Sequence, residues 1–327
     1  MFAPVLIVAS VAMVTFQSGT PVVLPREDDI VFDINETTGV IEKGSADAFD
    51  GFGYLSVNGA PYEAQEPFTF MDWDDESNGL RTIVAPPILM EFGGGADPVY
   101  HLEVSRKIYV PWAAQKNYIR YYDLIHNPTE EPHVVNLQFW GNVGRTGAAI
   151  ITTDDGFAVI GDPADMQVPR IGLLFKRGPI ENFSFTYTAG TASTEYVFVI
   201  EPNSSIAIVN FVAQVPDPSA AAGSAGVRNL IRPLLSSDDL GEDMEDLGEK
   251  PDFEYLTEEE ILLIMNMFID TDVNMDGRVN ILDMICVRNN LYVDPESAST
   301  PRADVNHDDQ INILDMLCVR NDLGWPF

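Results

Sequence analysis

The sequence predicts a mainly β chain: a large antiparallel β-sandwich followed by a small all-α module. Three observations carry this reading. Between about residues 25 and 215, apolar residues recur at every second position over short segments, with no helical period between them. From 216 to 256 the composition turns small and acidic. Beyond that, two near-identical acidic segments start 32 residues apart, at Asp272 and Asp304.

The strand pattern is explicit in places. Leu102, Val104, Ile108 and Val110 alternate with Glu103, Ser105, Lys107 and Tyr109, and Arg106 is the odd member of the apolar face. Val135, Leu137, Phe139 and Val143 alternate with Asn136, Gln138 and Asn142, and residues 194–200 and 205–213 read the same way. Such alternation means half-buried strands. The separators Asn58-Gly59, Asn78-Gly79, Asn127-Pro128 and Asp155-Gly156 carry turn chemistry. Many short strands in about 190 residues make one large two-sheet sandwich, with two small sandwiches as the alternative.

The formal net charge is −33, from 51 Asp and Glu against 18 Lys and Arg. That surface repels nucleic acid and anionic lipid and attracts divalent cations. Residues 1–16 are nearly all apolar, the length of a signal-peptide core, so residues 1–20 read as a signal peptide and the protein as secreted, extracellular or at the cell surface. An uncleaved anchor and a buried first strand are the alternatives, and no membrane span is expected after signal removal. Two cysteines, Cys286 and Cys318, are too few for a disulfide scaffold. They hold equivalent places in the repeats, and both a bridge and two buried thiols remain open.

Residues 216–256 read as an acidic linker between a sandwich at 25–215 and a module at 257–327. Thr257 and Glu260 have the spacing of a capping box opening a helix. Residues 261–269 are apolar nearly all round, which predicts that this helix is buried.

Residues 272–291 and 304–323 are identical at 14 of 20 positions. In each, oxygen-bearing side chains fall at loop positions 1, 3, 5, 9 and 12, the spacing with which one short loop wraps Ca²⁺. The candidate ligands are Asp272, Asn274, Asp276, Arg278 through its carbonyl, Asn280 and Asp283 in the first loop. In the second they are Asp304, Asn306, Asp308, Gln310 through its carbonyl, Asn312 and Asp315. Two Ca²⁺ ions are expected. Gly277 supplies the left-handed turn in the first loop. Asp309 replaces it in the second, so that site is expected to be weaker.

Position 12 is Asp rather than the Glu of ordinary EF-hands, and Pro295 and Pro301 forbid a helix ahead of the second loop. On these residues and the duplicated Asp-Val-Asn and Asn-Ile-Leu-Asp-Met runs, residues 270–323 resemble a type I dockerin. The resemblance implies a cohesin-like partner in an extracellular assembly, often a polysaccharide-degrading one. It places the contact on loop positions 10 and 11 and on later basic residues: Ile281, Leu282 and Arg288, and Ile313, Leu314 and Arg320. Family members often carry Ser-Thr at positions 10 and 11, where this chain has Ile-Leu. The repeat implies an approximate dyad and hence two binding orientations. Residues 106–111, 118–129 and 134–144 resemble β-sandwich modules of bacterial extracellular proteins, which implies fold and compartment only.

No catalytic set emerges. Gly-x-Ser-x-Gly, His-Glu-x-x-His and phosphate-loop motifs are absent from the sequence. Asp72, Asp74, Asp75 and Glu76 form the best place to seek a carboxylate pair, though such a run is ordinarily a solvated turn. Trp73, Trp112, Trp140 and Tyr109, Tyr118, Tyr121 and Tyr122 have the chemistry to stack on sugar rings, though strand aromatics are ordinarily core. The expectation is a secreted calcium-binding protein whose tail mediates attachment or assembly and whose sandwich is a binding or structural module, with carbohydrate as one candidate ligand. The competing readings are a polysaccharide-acting glycoside hydrolase and a surface-layer or matrix component.

Overall fold

The computed structural model describes residues 22–25, 31–43, 49–70, 82–94, 97–111, 118–143, 149–153, 156–161, 171–176, 182–214, 253, 255–261, 263–267, 271–274, 278–305, 310–321 and 323–324. The apolar leader, the Asp72–Glu76 run with Trp73, Trp112, the acidic linker to residue 252, and Asp276, Asn306 and Asp308 lie outside the described residues.

The strands run β1 (Val22–Pro25), β2 (Val31–Ile34), β3 (Ile41–Lys43), β4 (Phe52–Val57), β5 (Ala60–Pro61), β6 (Thr69–Phe70), β7 (Thr82–Val84) and β8 (Ile88–Gly94). Long central strands follow: β9 (Asp97–Tyr109), β10 (Tyr118–Asn127) and β11 (His133–Asn142). The rest are β12 (Ala149–Thr153), β13 (Phe157–Gly161), β14 (Ile171–Leu174), β15 (Phe183–Thr188), β16 (Thr191–Ile200) and β17 (Ser204–Gln214). They form two antiparallel sheets. The first has the order β1-β2-β3-β4-β11-β16-β15, with β5 on β4, and the second β12-β13-β14-β17-β10-β9-β7-β6, with β8 on β9. The two inner faces share one core, with Phe52, Leu55, Leu137, Phe139 and Tyr196 from the first sheet and Val104, Ile108, Ile119, Ile125 and Ile208 from the second. This is the single two-sheet arrangement rather than two small sandwiches.

On β9, Leu102, Val104, Arg106 and Ile108 are all fully buried, so the alternation holds as far as Arg106; beyond it Lys107 and Tyr109 on the other face are buried as well. Strands β10 and β17 depart from the half-buried pattern, since both faces of each are largely withdrawn from water. On β17, Ile206, Ile208 and Val212 enter the inter-sheet core, while Ala207, Val209, Phe211 and Ala213 enter a second core on the outer face.

Residues 253–267 build that second core and act as a strap. Phe253, Ile261, Ile264 and Met267 are buried against Tyr109, Tyr118, Tyr122, Leu174, Val209 and Phe211. Each such side chain contributes about 1.5–3 kcal/mol by leaving water. The helix expected over 257–269 is instead one turn, α1 (Glu258–Ile261). Its capping box forms: the Glu260 N–H donates to Thr257 Oγ1 at 3.2 Å and the Thr257 N–H to Glu260 Oε2 at 2.8 Å. Beyond α1 the described residues turn and bridge to a vacant sheet edge, Ile264 pairing with Ala207, which offers backbone hydrogen bonds in place of further helix. β14 covers β17 only from Phe211 to Gln214. At the open stretch, the Ala207 N–H donates to the Leu263 carbonyl at 2.7 Å and the Met265 N–H to the Ala207 carbonyl at 2.9 Å. Asn266, fully buried, completes the edge. Its Oδ1 accepts from the Val209 N–H at 2.8 Å, and its Nδ2 donates to the carbonyls of Val209 at 2.6 Å and Phe175 at 2.9 Å. An edge closed in this way cannot recruit another chain.

Candidate functional site

The strap ends at Met267, five positions before Asp272, where the acidic repeats begin. Helix α2 (Ile281–Asn289) follows the first loop and α3 (Ile313–Asn321) the second. Asn280 is the N-cap of α2: its side chain accepts the Leu282 N–H at 2.8 Å, and Asp283 accepts the Asn280 N–H through Oδ2 at 2.8 Å. This reciprocal cap satisfies two otherwise orphan donors. Asp283 Oδ1 also accepts the Asn274 N–H at 3.0 Å, so a single carboxylate ties both arms of its loop to the helix start. The second loop is wired alike, with the incoming arm held one position earlier, at Val305 rather than at the counterpart of Asn274. Asp315 takes the Val305 N–H at 2.8 Å and the Asn312 N–H at 2.7 Å, and Asn312 caps Leu314 at 2.8 Å.

The two repeats clasp each other about an approximate dyad. The Tyr292 N–H, beyond α2, donates to the Ile311 carbonyl at 2.8 Å, and the Gly324 N–H, beyond α3, donates to the Val279 carbonyl at 2.9 Å. Each partner of one bond lies 32 residues from its counterpart in the other. Between the repeats sits a small core of paired positions: Val273 with Val305, Val279 with Ile311, and Val287 with Val319. Cys286 and Cys318 pack against it, and no disulfide joins them.

Asp272 and Asp304 at position 1 and Asp283 and Asp315 at position 12 are all buried, the latter pair completely. Asn274, Asn280 and Asn312 are half-buried, and Arg278 and Gln310 are exposed. The side-chain amides of Asn280 and Asn312 approach the position-7 carbonyls of Arg278 and Gln310 at 3.4 and 3.3 Å. Among the described residues no three His, Cys, Asp or Glu side chains cluster as a metal site; Asp276, Asn306 and Asp308, at positions 5 and 3, are not among them. The donor set nevertheless fits a hard cation, since it consists of carboxylates, amide oxygens and carbonyls.

Ile281, Leu282, Ile313 and Leu314 stand out on the surface at 62%, 50%, 56% and 50% exposure, and Arg288 and Arg320 are exposed on the same helices. The first turns of both helices therefore present an apolar pair to solvent, unusual for side chains of this size and repeated on both sides of the dyad.

The family model described as the dockerin type I domain matches residues 270–324. The tail is a type I dockerin. Dockerins bind calcium and cohesins and occur in extracellular, cell-surface-associated proteins, which supports assembly or attachment as the role of the tail. No curated protein matches the chain. Among solved structures, a human-microbiome protein named as a kojibiose phosphorylase aligns with 72% of this chain and 30% of its own, at 9% identity and a TM-score of 0.38. The 4-alpha-glucanotransferase from Thermococcus litoralis aligns over 60% and 38%, at 11% identity and 0.35. A galactose mutarotase-like protein from Lactobacillus casei aligns over 59% and 100%, at 8% identity and 0.34. The chain spans less than a third of the first of these, and at such scores the likenesses assign no activity. Among the described residues no helix is long and apolar enough to cross a membrane.

The sequence reading did not find the strap's docking. Its signal was the near-continuous apolar run from Ile206 to Ala213 on β17, which marks a strand buried on both faces and so demands a cover. His126 and His133 serve ordinary strand ends: His126 Nδ1 lies 3.0 Å from Ser205 Oγ, and the His133 ring stacks on Tyr100.

Proposed function

We propose that this chain is a secreted anchoring protein. Its dockerin tail folds around two Ca²⁺ ions and seats on a cohesin-like module, carrying the sandwich as a binding module. Asp272, Asn274, Asp276, Asn280, Asp283 and the Arg278 carbonyl hold one ion. Asp304, Asn306, Asp308, Asn312, Asp315 and the Gln310 carbonyl hold the other. When bound, each ion supplies positive charge that offsets carboxylates otherwise costly to bury together. Ile281, Leu282 and Arg288, and their counterparts Ile313, Leu314 and Arg320, meet the partner. Apolar Ile-Leu pairs in place of hydroxyl residues select a cohesin face that is itself apolar, with carboxylates at its rim for the arginines.

The observation that supports this most is the duplicated wiring of Asp283 and Asp315. Each is fully buried and each holds two backbone N–H groups of its own loop. A carboxylate placed in this way is a preformed ligand with its orientation fixed.

Calorimetry of Ca²⁺ binding to the full chain tests the reading, together with far-ultraviolet circular dichroism before and after chelation. Two binding events are expected in the wild type, and one in either Asp272→Ala or Asp304→Ala. Chelation is expected to remove the helical signal and leave the β signal. Unchanged helicity on chelation, with no heat of binding, would overturn it.

A further inference from the structure

We propose that the outer face of the first sheet is a binding platform for a neutral polysaccharide, built around Trp140. This assigns a ligand to the carried sandwich and rests on reading that sandwich as a binding module, but not on the tail's calcium.

Trp140 on β11 and Tyr54 on β4 are direct cross-strand partners, and their rings stack with centroids 4.5 Å apart at 21°. Both lie on the solvent side of the sheet and are half-buried. The stack is hemmed on one side by Gly51, where an added Cβ would come within 3.1 Å of the Tyr54 phenol oxygen. It is fixed from the side by a register shift between Trp140 and Gly141, the kind of bulge that re-aims a side chain. On its other flank Trp140 pairs with Ser193 of β16, which pairs in turn with Thr186 of β15. The indole therefore stands as a wall beside a floor of small hydroxyl residues.

The next row along the strands is polar and linked. Ser56 Oγ donates to Gln138 Oε1 at 3.4 Å, and Gln138 Nε2 donates to Ser193 Oγ at 3.0 Å. Glu195 is the cross-strand partner of Gln138 in this same row and accepts from Asn136 Nδ2 of the row beyond. With strands about 4.8 Å apart, four strands give a platform roughly 14 Å wide, the breadth of a short run of sugar rings.

The chemistry selects the ligand class. A pyranose ring has an apolar C–H face that stacks on an aromatic wall and equatorial hydroxyls that exchange hydrogen bonds with amides and hydroxyls. An aromatic ring already held by its neighbour loses little freedom on binding. In a chain of net charge −33, the two rows next to Trp140 carry Glu195 as their one charged side chain. A uronate polymer or nucleic acid would meet repulsion without a compensating cation; a neutral glycan would meet none.

Affinity electrophoresis of the calcium-loaded full chain tests this, in gels containing hydroxyethylcellulose, xylan, galactomannan or polygalacturonate. At least one of the three neutral polymers is expected to retard the wild type, and polygalacturonate is not. Trp140→Ala is expected to weaken retardation tenfold or more, and Trp140→Phe to keep most of it. Ser193→Arg, a solvent-facing change that fills the floor, is expected to abolish it with the unfolding temperature unchanged, which separates blocking from misfolding. Chelation is expected to leave retardation intact, so loss of the tail's calcium and loss of this site are distinguishable. No retardation by any neutral polymer, or wild-type retardation of Trp140→Ala or Ser193→Arg, would overturn the proposal.

Discussion

Arg106 and Asp123 face each other directly across β9 and β10 and form a bidentate ion pair sealed between the two sheets, with Nε to Oδ1 at 2.6 Å and Nη2 to Oδ2 at 2.9 Å. The guanidinium also donates through Nη1 to the carbonyls of Thr38 and Gly53, which belong to the opposite sheet's side of the core. Gly53 sits at the β4 bulge with φ +99°, where a Cβ would strike the Tyr121 hydroxyl at 2.6 Å. Arg106 itself stacks 4.8 Å from the Tyr121 ring. Burial alone works against its charge, and the Asp123 carboxylate more than offsets that, holding the pKa above its ordinary value.

Removing one partner leaves the other charge buried without its counterion. Asp123→Ala is expected to cost about 3–5 kcal/mol, and the volume-matched double change Arg106→Met with Asp123→Leu much less. Urea unfolding curves measure both. Equal midpoints for Asp123→Ala and the wild type would mean that the pair does not pin the sheets.

Alkaline pH attacks the same core. Burial pushes the phenols of Tyr62, Tyr121, Tyr122 and Tyr196 well above their ordinary value of 10.0. Above that value the unfolded chain releases protons that the folded chain retains, so stability falls as pH rises, by about 1.4 kcal/mol per pH unit for each phenol. Lys107 works in the opposite sense. Burial lowers its pKa despite Glu260 at 2.6 Å, so stability from that site rises as pH approaches its unfolded value. Four phenols outweigh one amine. Part of the tyrosinate absorbance should therefore appear only together with loss of the β-sheet circular dichroism. Full tyrosinate absorbance with the sheet signal intact would contradict this.

How much of this was legible in the sequence depends on distance along the chain. Period-two alternation placed β9 and β11 and marked Arg106 as an exception on an apolar face, because alternation is set by neighbouring residues alone. Asp123 is the same kind of exception among Ile119, Tyr121 and Ile125, but joining the two needed the strand register. The calcium-loop spacing and its helix caps were readable because every partner lies within twelve residues. The strap was misread as a long helix, since a vacant edge at Ala207 is a property of the assembled sheet and local helix propensity carries no trace of it.

The strap belongs energetically to the sandwich. Asn266→Ala removes the donor and acceptor that satisfy Val209 and Phe175, and each buried group left without a partner costs about 1–3 kcal/mol. The unfolding midpoint of the sandwich is expected to fall accordingly. Calcium titration of the tail is expected to be unchanged, because the tail core around Val273, Val287 and Val319 shares no residue with the strap. A variant with weakened calcium binding and an unaltered sandwich would reverse the assignment.

The dyad makes the last prediction a matched pair. Tyr292 and Gly324 occupy equivalent places 32 residues apart, both in the left-handed region at φ 62° and 93°, and both donate the clasping N–H. An L side chain pays roughly 1–2 kcal/mol for that conformation. Tyr292 is 85% exposed and loses little packing if cut back, so Tyr292→Gly relieves strain, and the extra freedom of glycine in the unfolded chain returns about 0.5–1 kcal/mol of that gain. The net effect is a tail of equal or slightly greater stability. Gly324→Ala runs the other way, adding strain that exceeds the 0.4–1 kcal/mol or so that alanine saves in the unfolded state, and its tail unfolds at lower temperature. Thermal melts of the two calcium-saturated variants, followed at the helical band, should move in opposite directions or leave Tyr292→Gly in place. A fall of similar size in both would mean that the Tyr292 ring, rather than its backbone, holds the clasp.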